Sequence, residues 1–86
     1  MSTHPKLARR ARLRWDARDE KWMILYPERG LVLNASAAEI VKLCDGTRSL
    51  EQIAETLAAS SGAPLERVSG DVRALVARLE EKRLLE

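Results

Sequence analysis

The feature that most constrains this chain is a change of hydrophobic period at Asn34. Before it, apolar side chains come in short alternating or continuous runs; after it they recur every three and four residues, the spacing of one helical face. In "RLRWD", Leu13 and Trp15 alternate with Arg12, Arg14 and Asp16, the pattern of a half-buried strand. "WMILY", Trp22 to Tyr26, is β-rich and apolar on both faces, as a central strand would be. "PERG" then turns the chain, with Pro27 presetting φ and Gly30 free to leave with φ > 0. "LVLN", Leu31 to Asn34, returns as the hairpin partner. These runs predict an antiparallel sheet of three strands at 12–16, 22–26 and 31–34.

Behind Asn34 the pattern predicts three helices. Ser36 and Glu39 have the spacing of a capping box, in which each side chain satisfies an orphan amide of the other residue. Ala37, Ile40, Val41 and Cys44 share the apolar face of a first helix over 37–45, with Gly46 expected as its left-handed cap. A second box, Ser49 with Gln52, opens a helix over 50–61 whose stripe is Leu50, Ile53, Ala54, Leu57 and Ala58. Gly62 breaks it, and Pro64 suits the first position of a third helix over 65–82. Leu65, Val68, Val72, Leu75, Val76 and Leu79 form its apolar face, and Gly70 inside it costs up to about 1 kcal/mol relative to Ala. Strands followed by amphipathic helices make an α+β domain. It is small and winged-helix-like, although the hairpin precedes the helices where a DNA-binding wing commonly follows them.

Eighty-six residues suffice for a single domain, expected over 12–86 behind a basic, flexible tail over 1–11. With 45% apolar and 33% charged residues the chain is globular rather than disordered. No apolar run approaches the roughly 20 residues that cross a bilayer, and no apolar segment follows the first charges as in a secretory signal. A lone cysteine makes no internal disulfide, which points to the cytoplasm. The net charge of +2 is weak steering. Its distribution is uneven: Lys6, Arg9, Arg10, Arg12 and Arg14 all precede the first acid. That segment is either a solvated tail or an attractor for an acidic partner.

An enzyme lacks its parts here. His4 has no companion at metal-ligand spacing, and Cys44 has no histidine nearby in sequence to act as its base. Asp45 disfavours a thiolate, and Cys44 falls on an apolar face near a helix C-terminus. The glycines are isolated and form no phosphate loop. Nucleic-acid binding finds donors in Arg67, Ser69 and Arg73, interleaved with the repelling acids Glu66 and Asp71. Trp15, Trp22 and Tyr26 lie in strands, where they serve as core as readily as stacking platforms. Peptide capture is the third reading. A sheet of three strands keeps two edges, and a peptide can add to one of them beside the last helix.

Taken in order, "RLRWD", Trp22 with "LYPERGLVLN", "AAEIVKLCDGTRS" and "DVRALVARLEEKRLL" resemble the pyrroloquinoline quinone (PQQ) biosynthesis protein D family, PqqD, over nearly the whole chain after the tail. The resemblance implies a peptide chaperone, a recognition element for ribosomally made and modified peptides, that needs no cofactor and catalyses nothing. It would bind the precursor peptide PqqA by strand addition and present it to the radical-SAM enzyme PqqE, which cross-links a Glu and a Tyr within it. Neither membrane nor nucleic acid is an implied partner; the alternative is a winged-helix-like nucleic-acid-binding regulator. Carried over by position, the ladder strand is Leu31, Val32, Leu33 and Asn34. On the third helix, Arg73 and Ala77 lie on one flank and Asp71, Arg78 and Lys82 on the other, with the peptide-facing flank left open. An unfilled strand edge also allows pairing into a homodimer. One departure stands out: Arg83 sits just before the final apolar pair, where relatives often carry Gly.

Overall fold

The computed structural model describes residues 4–27 and 29–86, with elements β1 (Arg12–Asp16), β2 (Lys21–Tyr26), β3 (Arg29–Leu33), α1 (Ala35–Lys42), α2 (Leu50–Ser61) and α3 (Leu65–Glu81). The three strands form one antiparallel sheet in the order β1-β2-β3, so β1 and β3 are its edges. Three helices follow, as the change of period predicts. Register explains the alternation: Leu13 faces Ile24, which faces Leu31, and Trp15 faces Trp22, which faces Leu33. These two rows line the face that α1 covers. Trp15 and Trp22 rings lie 5.3 Å apart at 58°, and the Lys42 ammonium sits 4.5 Å above the Trp22 ring, a cation–π contact at the end of α1.

α1 packs against all three strands and against both other helices, while α3 packs on α1 and α2. No Cα of α3 comes within 8 Å of one in the sheet. The core therefore lies between the inner sheet face, α1 and the buried side of α3, where Ile24, Ile53, Val72, Val76 and Leu79 are fully enclosed. Each such side chain stabilises the fold by roughly 1.5–3 kcal/mol. Gly70 lies within the continuous α3, exposed to open space.

Several local expectations are corrected. The helix α1 is capped by Asn34, whose Oδ1 accepts the Ala37 amide at 2.7 Å, so the expected Ser36–Glu39 box is displaced by a cap two residues earlier. It ends at Lys42 with Leu43 as an αR cap; Gly46 does have φ +86, but in the loop beyond. Ser49 and Gln52 do form the reciprocal box, and Gly62 closes α2 at φ +74. Pro64 is the N-cap of α3 rather than its first turn, and Leu65 is 49% exposed instead of inward. β3 begins at Arg29 and ends at Leu33, leaving Asn34 to its capping role.

The larger correction concerns the expected free tail. Pro5 is fully buried, and residues 5–8 run as a strap between the α1–α2 loop and the C-terminus. On one side Leu7 donates to the Cys44 carbonyl at 3.0 Å, and Gly46 donates to the Pro5 carbonyl at 3.0 Å. On the other, Ala8 donates to the Leu84 carbonyl at 2.7 Å and Glu86 to the Lys6 carbonyl at 2.8 Å. A Cβ on Gly46 would meet Lys6 Cδ at 3.1 Å, so both backbone angle and close approach call for glycine there. The basic segment is held because its apolar members, with Ala11 buried and Leu7 half-buried, pack on the core. Its first three residues lie outside the described chain.

Candidate functional site

The hairpin sets which atoms of β3 face outward. Only two residues separate Tyr26 from its partner Arg29, so that pair exchanges both backbone bonds. Counting by twos, Ile24–Leu31 and Trp22–Leu33 do the same, and the amides and carbonyls of Gly30 and Val32 point to the open edge. Side chains follow the pleat: Leu31 and Leu33 are buried, while Val32 is 52% exposed on the outer face. On α3, Arg67, Asp71, Ala74, Arg78 and Lys82 recur at helical spacing along one flank.

A cleft of about 390 Å³ lies between α3 and the start of α1, just past the end of β3. Asn34, Ser36 and Ala37 form one side, Arg67, Asp71, Ala74 and Arg78 the other, and Ile40 and Leu75 the apolar floor. It continues toward the α2–α3 turn as a depression of about 370 Å³, where Leu57, Ala63 and Val68 add apolar surface. At the other end of β3 lies a depression of about 280 Å³, reached by Lys82 and Arg29. The helical wall carries Arg67, Arg78 and Lys82 against the single acid Asp71, and none of them is ion-paired with a described residue.

Of the residues expected at a site, Asn34, Asp71 and Arg78 meet around the main cleft, and Lys82 continues their row. Arg73 and Ala77 are exposed on the opposite flank and line none of these cavities. Leu31 and Leu33 turn their side chains into the core, and of the four strand positions Val32 offers the outward backbone. Gly30 and Ala74 are absent from the expected site residues, and Arg67 enters the sequence reading only as a nucleic-acid donor. The parity of the two-residue turn would have found Gly30, and steps of three and four from Asp71 and Arg78 would have found Ala74 and Arg67.

Cys44 is 4% exposed, and its thiol donates to the Ile40 carbonyl at 3.3 Å. Burial first, then the adjacent Asp45 charge, push its pKa up to about 11 from 9.0, so at neutral pH it is a protonated core thiol. Asp45 itself is held below the usual carboxylate range, mainly by the Thr47 hydroxyl at 2.6 Å and the Thr47 amide at 3.0 Å, with the Arg48 guanidinium 3.0 Å away. This loop is a structural knot beside the strap. The clefts along α3, one beside the start of α1 and one beside Arg29 at the start of β3, are where the fold leaves room for another molecule.

A model of the family described as Coenzyme PQQ synthesis protein D (PqqD) matches residues 21–85. A protein of Bradyrhizobium diazoefficiens named PqqA binding protein is 39% identical over 84 residues, spanning 98% of this chain and 82% of the relative. Among solved structures, the PqqD truncation of Methylobacterium extorquens PqqCD is 36% identical with a TM-score of 0.83, covering 95% of this chain and 87% of that one. It is described as a functional, stand-alone recognition element for ribosomally synthesised and modified peptides. The crystal structure of PqqD from Xanthomonas campestris is 40% identical with a TM-score of 0.67, covering 95% and 91%.

Proposed function

The chain belongs to the PqqD family, and from that premise we propose that it binds the precursor peptide PqqA and hands it to the radical-SAM enzyme PqqE without catalysing a step itself. The peptide adds as a fourth strand along Leu31 to Asn34, using the outward groups of Gly30 and Val32 for the ladder. Its side chains on one face fall toward α3, against Asp71, Arg78 and Lys82, with Arg67 and Ala74 completing that wall. Since the peptide is made on ribosomes, the encounter takes place in the cytoplasm.

This reading rests on the open β3 edge, from which the chain runs through Asn34 into an apolar-floored cleft whose other wall is a row of α3 side chains. The name PqqA binding protein, carried by a relative 39% identical over 84 residues, points the same way. Titrating isotope-labelled protein with PqqA should move the amides of Gly30 and Val32 and those from Asp71 to Lys82. Shifts confined to Arg9–Arg14, with β3 silent, would sink strand addition. Hand-over is tested separately: PqqE should retain the protein–peptide complex on a sizing column and modify the peptide faster with the chain present than without it.

A further inference from the structure

The depression at the hairpin end of β3 has an unusual lining. Arg10 comes from the segment leading into β1, Arg29 from the first position of β3, and Lys82 and Arg83 from the end of α3. These four cations surround a floor of Tyr26, Pro27 and Leu84, and no Asp or Glu is among the described lining residues. None of the four is ion-paired with a described residue. Like charges brought together from three separate segments repel unless an anion lies among them.

Arg83 adds an independent observation. Its φ is +57, in the left-handed region, and it occupies the position after a helix that ordinarily takes glycine. The surrounding bonds hold it there: its own amide donates to the Glu80 carbonyl at 3.0 Å, and the Leu84 amide donates to the Leu79 carbonyl at 2.9 Å. Glycine would satisfy this turn without strain, so the guanidinium is what the strained residue supplies. Strain of this kind concentrates where ligands are clamped.

We propose that Arg10, Arg29, Lys82 and Arg83 form a carboxylate-binding subsite that seats an Asp or Glu side chain of the bound peptide. This rests on strand addition at β3: Arg29 opens that strand and Lys82 follows Arg78 along α3, so an added strand runs into the depression. The apolar floor lowers the local dielectric and strengthens charge-assisted bonds to a carboxylate, which arginine can make in pairs. One seated acid fixes the register of the added strand, which backbone pairing alone leaves free to slip by two residues.

The test uses the full chain, its Arg83→Gly and Lys82→Gln variants, and PqqA peptides in which each Asp or Glu is replaced in turn by Asn or Gln. Binding is measured by calorimetry, and β3 amide shifts are recorded for each pair. One peptide substitution should weaken binding about tenfold, the size of one lost charge-assisted contact. That loss should shrink or vanish in Arg83→Gly, whose melting temperature should equal or exceed the parent's. If every amide-substituted peptide binds as the parent does while β3 amides still shift, the subsite is wrong and strand addition stands. If PqqA fails to bind or leaves β3 unmoved, strand addition falls and the subsite with it. A duplex DNA that binds the parent and not Arg83→Gly, with peptide affinity unchanged, would overturn the proposal in favour of a phosphate site.

Discussion

At Cys44 burial and the neighbouring Asp45 act in the same direction, and their sum has a consequence for stability. The folded thiol ionises near pH 11 and the unfolded thiol near its reference value of 9.0. Below the lower value both states carry the proton and the thiol is neutral to the balance. Between the two, the unfolded chain loses its proton first, so stability falls as pH rises through this window, by about 2–3 kcal/mol in all. Denaturant unfolding should therefore show the parent losing stability relative to Cys44→Ala as pH rises from 9 to 11. Parallel pH profiles would show that the thiol is solvated. For the same reason a thiol reagent at neutral pH should label the folded protein slowly and the denatured one fast. Arg83 is the opposite kind of residue, exposed and strained, and its left-handed backbone costs about 1–2 kcal/mol relative to glycine.

Among the elements, β3 has the sharpest division of labour. Arg29, Leu31 and Leu33 turn their amides to β2, while Gly30 and Val32 turn theirs outward. Proline on an edge strand is tolerated where its missing N–H would have faced solvent. Val32→Pro should accordingly keep native circular dichroism and lose peptide affinity about threefold to tenfold, one backbone bond's worth. Unchanged affinity in a folded Val32→Pro protein would count against strand addition. Leu31→Pro serves as the contrast, since it removes a ladder bond and a buried side chain together and should not fold.

For the whole molecule, the strap from Pro5 to Ala8 joins segments far apart in the chain. It bonds the loop after α1 on one side and the residues after α3 on the other. Four backbone bonds at about 0.5–1.5 kcal/mol each, plus a buried proline, are a large share of the roughly 5–10 kcal/mol that a domain of this size has to spare. Removing residues 1–8 should lower the melting temperature by about 10 °C or more, read by thermal circular dichroism. A truncated protein that melts with the parent would show that the strap contributes nothing. The strap also carries the chain to Arg10, so truncation should loosen the cationic depression as well as the fold.

Much of this architecture is written locally. The three strands, the hairpin at Pro27, the Ser49–Gln52 box, the Gly62 cap and, save for Leu65, the inward faces of α2 and α3 follow from period, turn chemistry and capping, which depend on residues a few positions apart. The Asn34 cap was within reach of the same reasoning, yet two competing cap signals lay within three residues and the local pattern does not rank them. What only the tertiary structure decided are the pairings across distance. Periodicity identifies the buried side of α3 and says nothing of its two exposed flanks. That Asp71 and Arg78 line the cleft against the start of α1, that Lys82 lines the depression beside Arg29, and that Arg73 and Ala77 line neither, is set by how α3 packs on α1. Likewise no local rule makes a basic N-terminal run into a strap, because its backbone partners at Cys44, Leu84 and Glu86 exist only once the helices have packed.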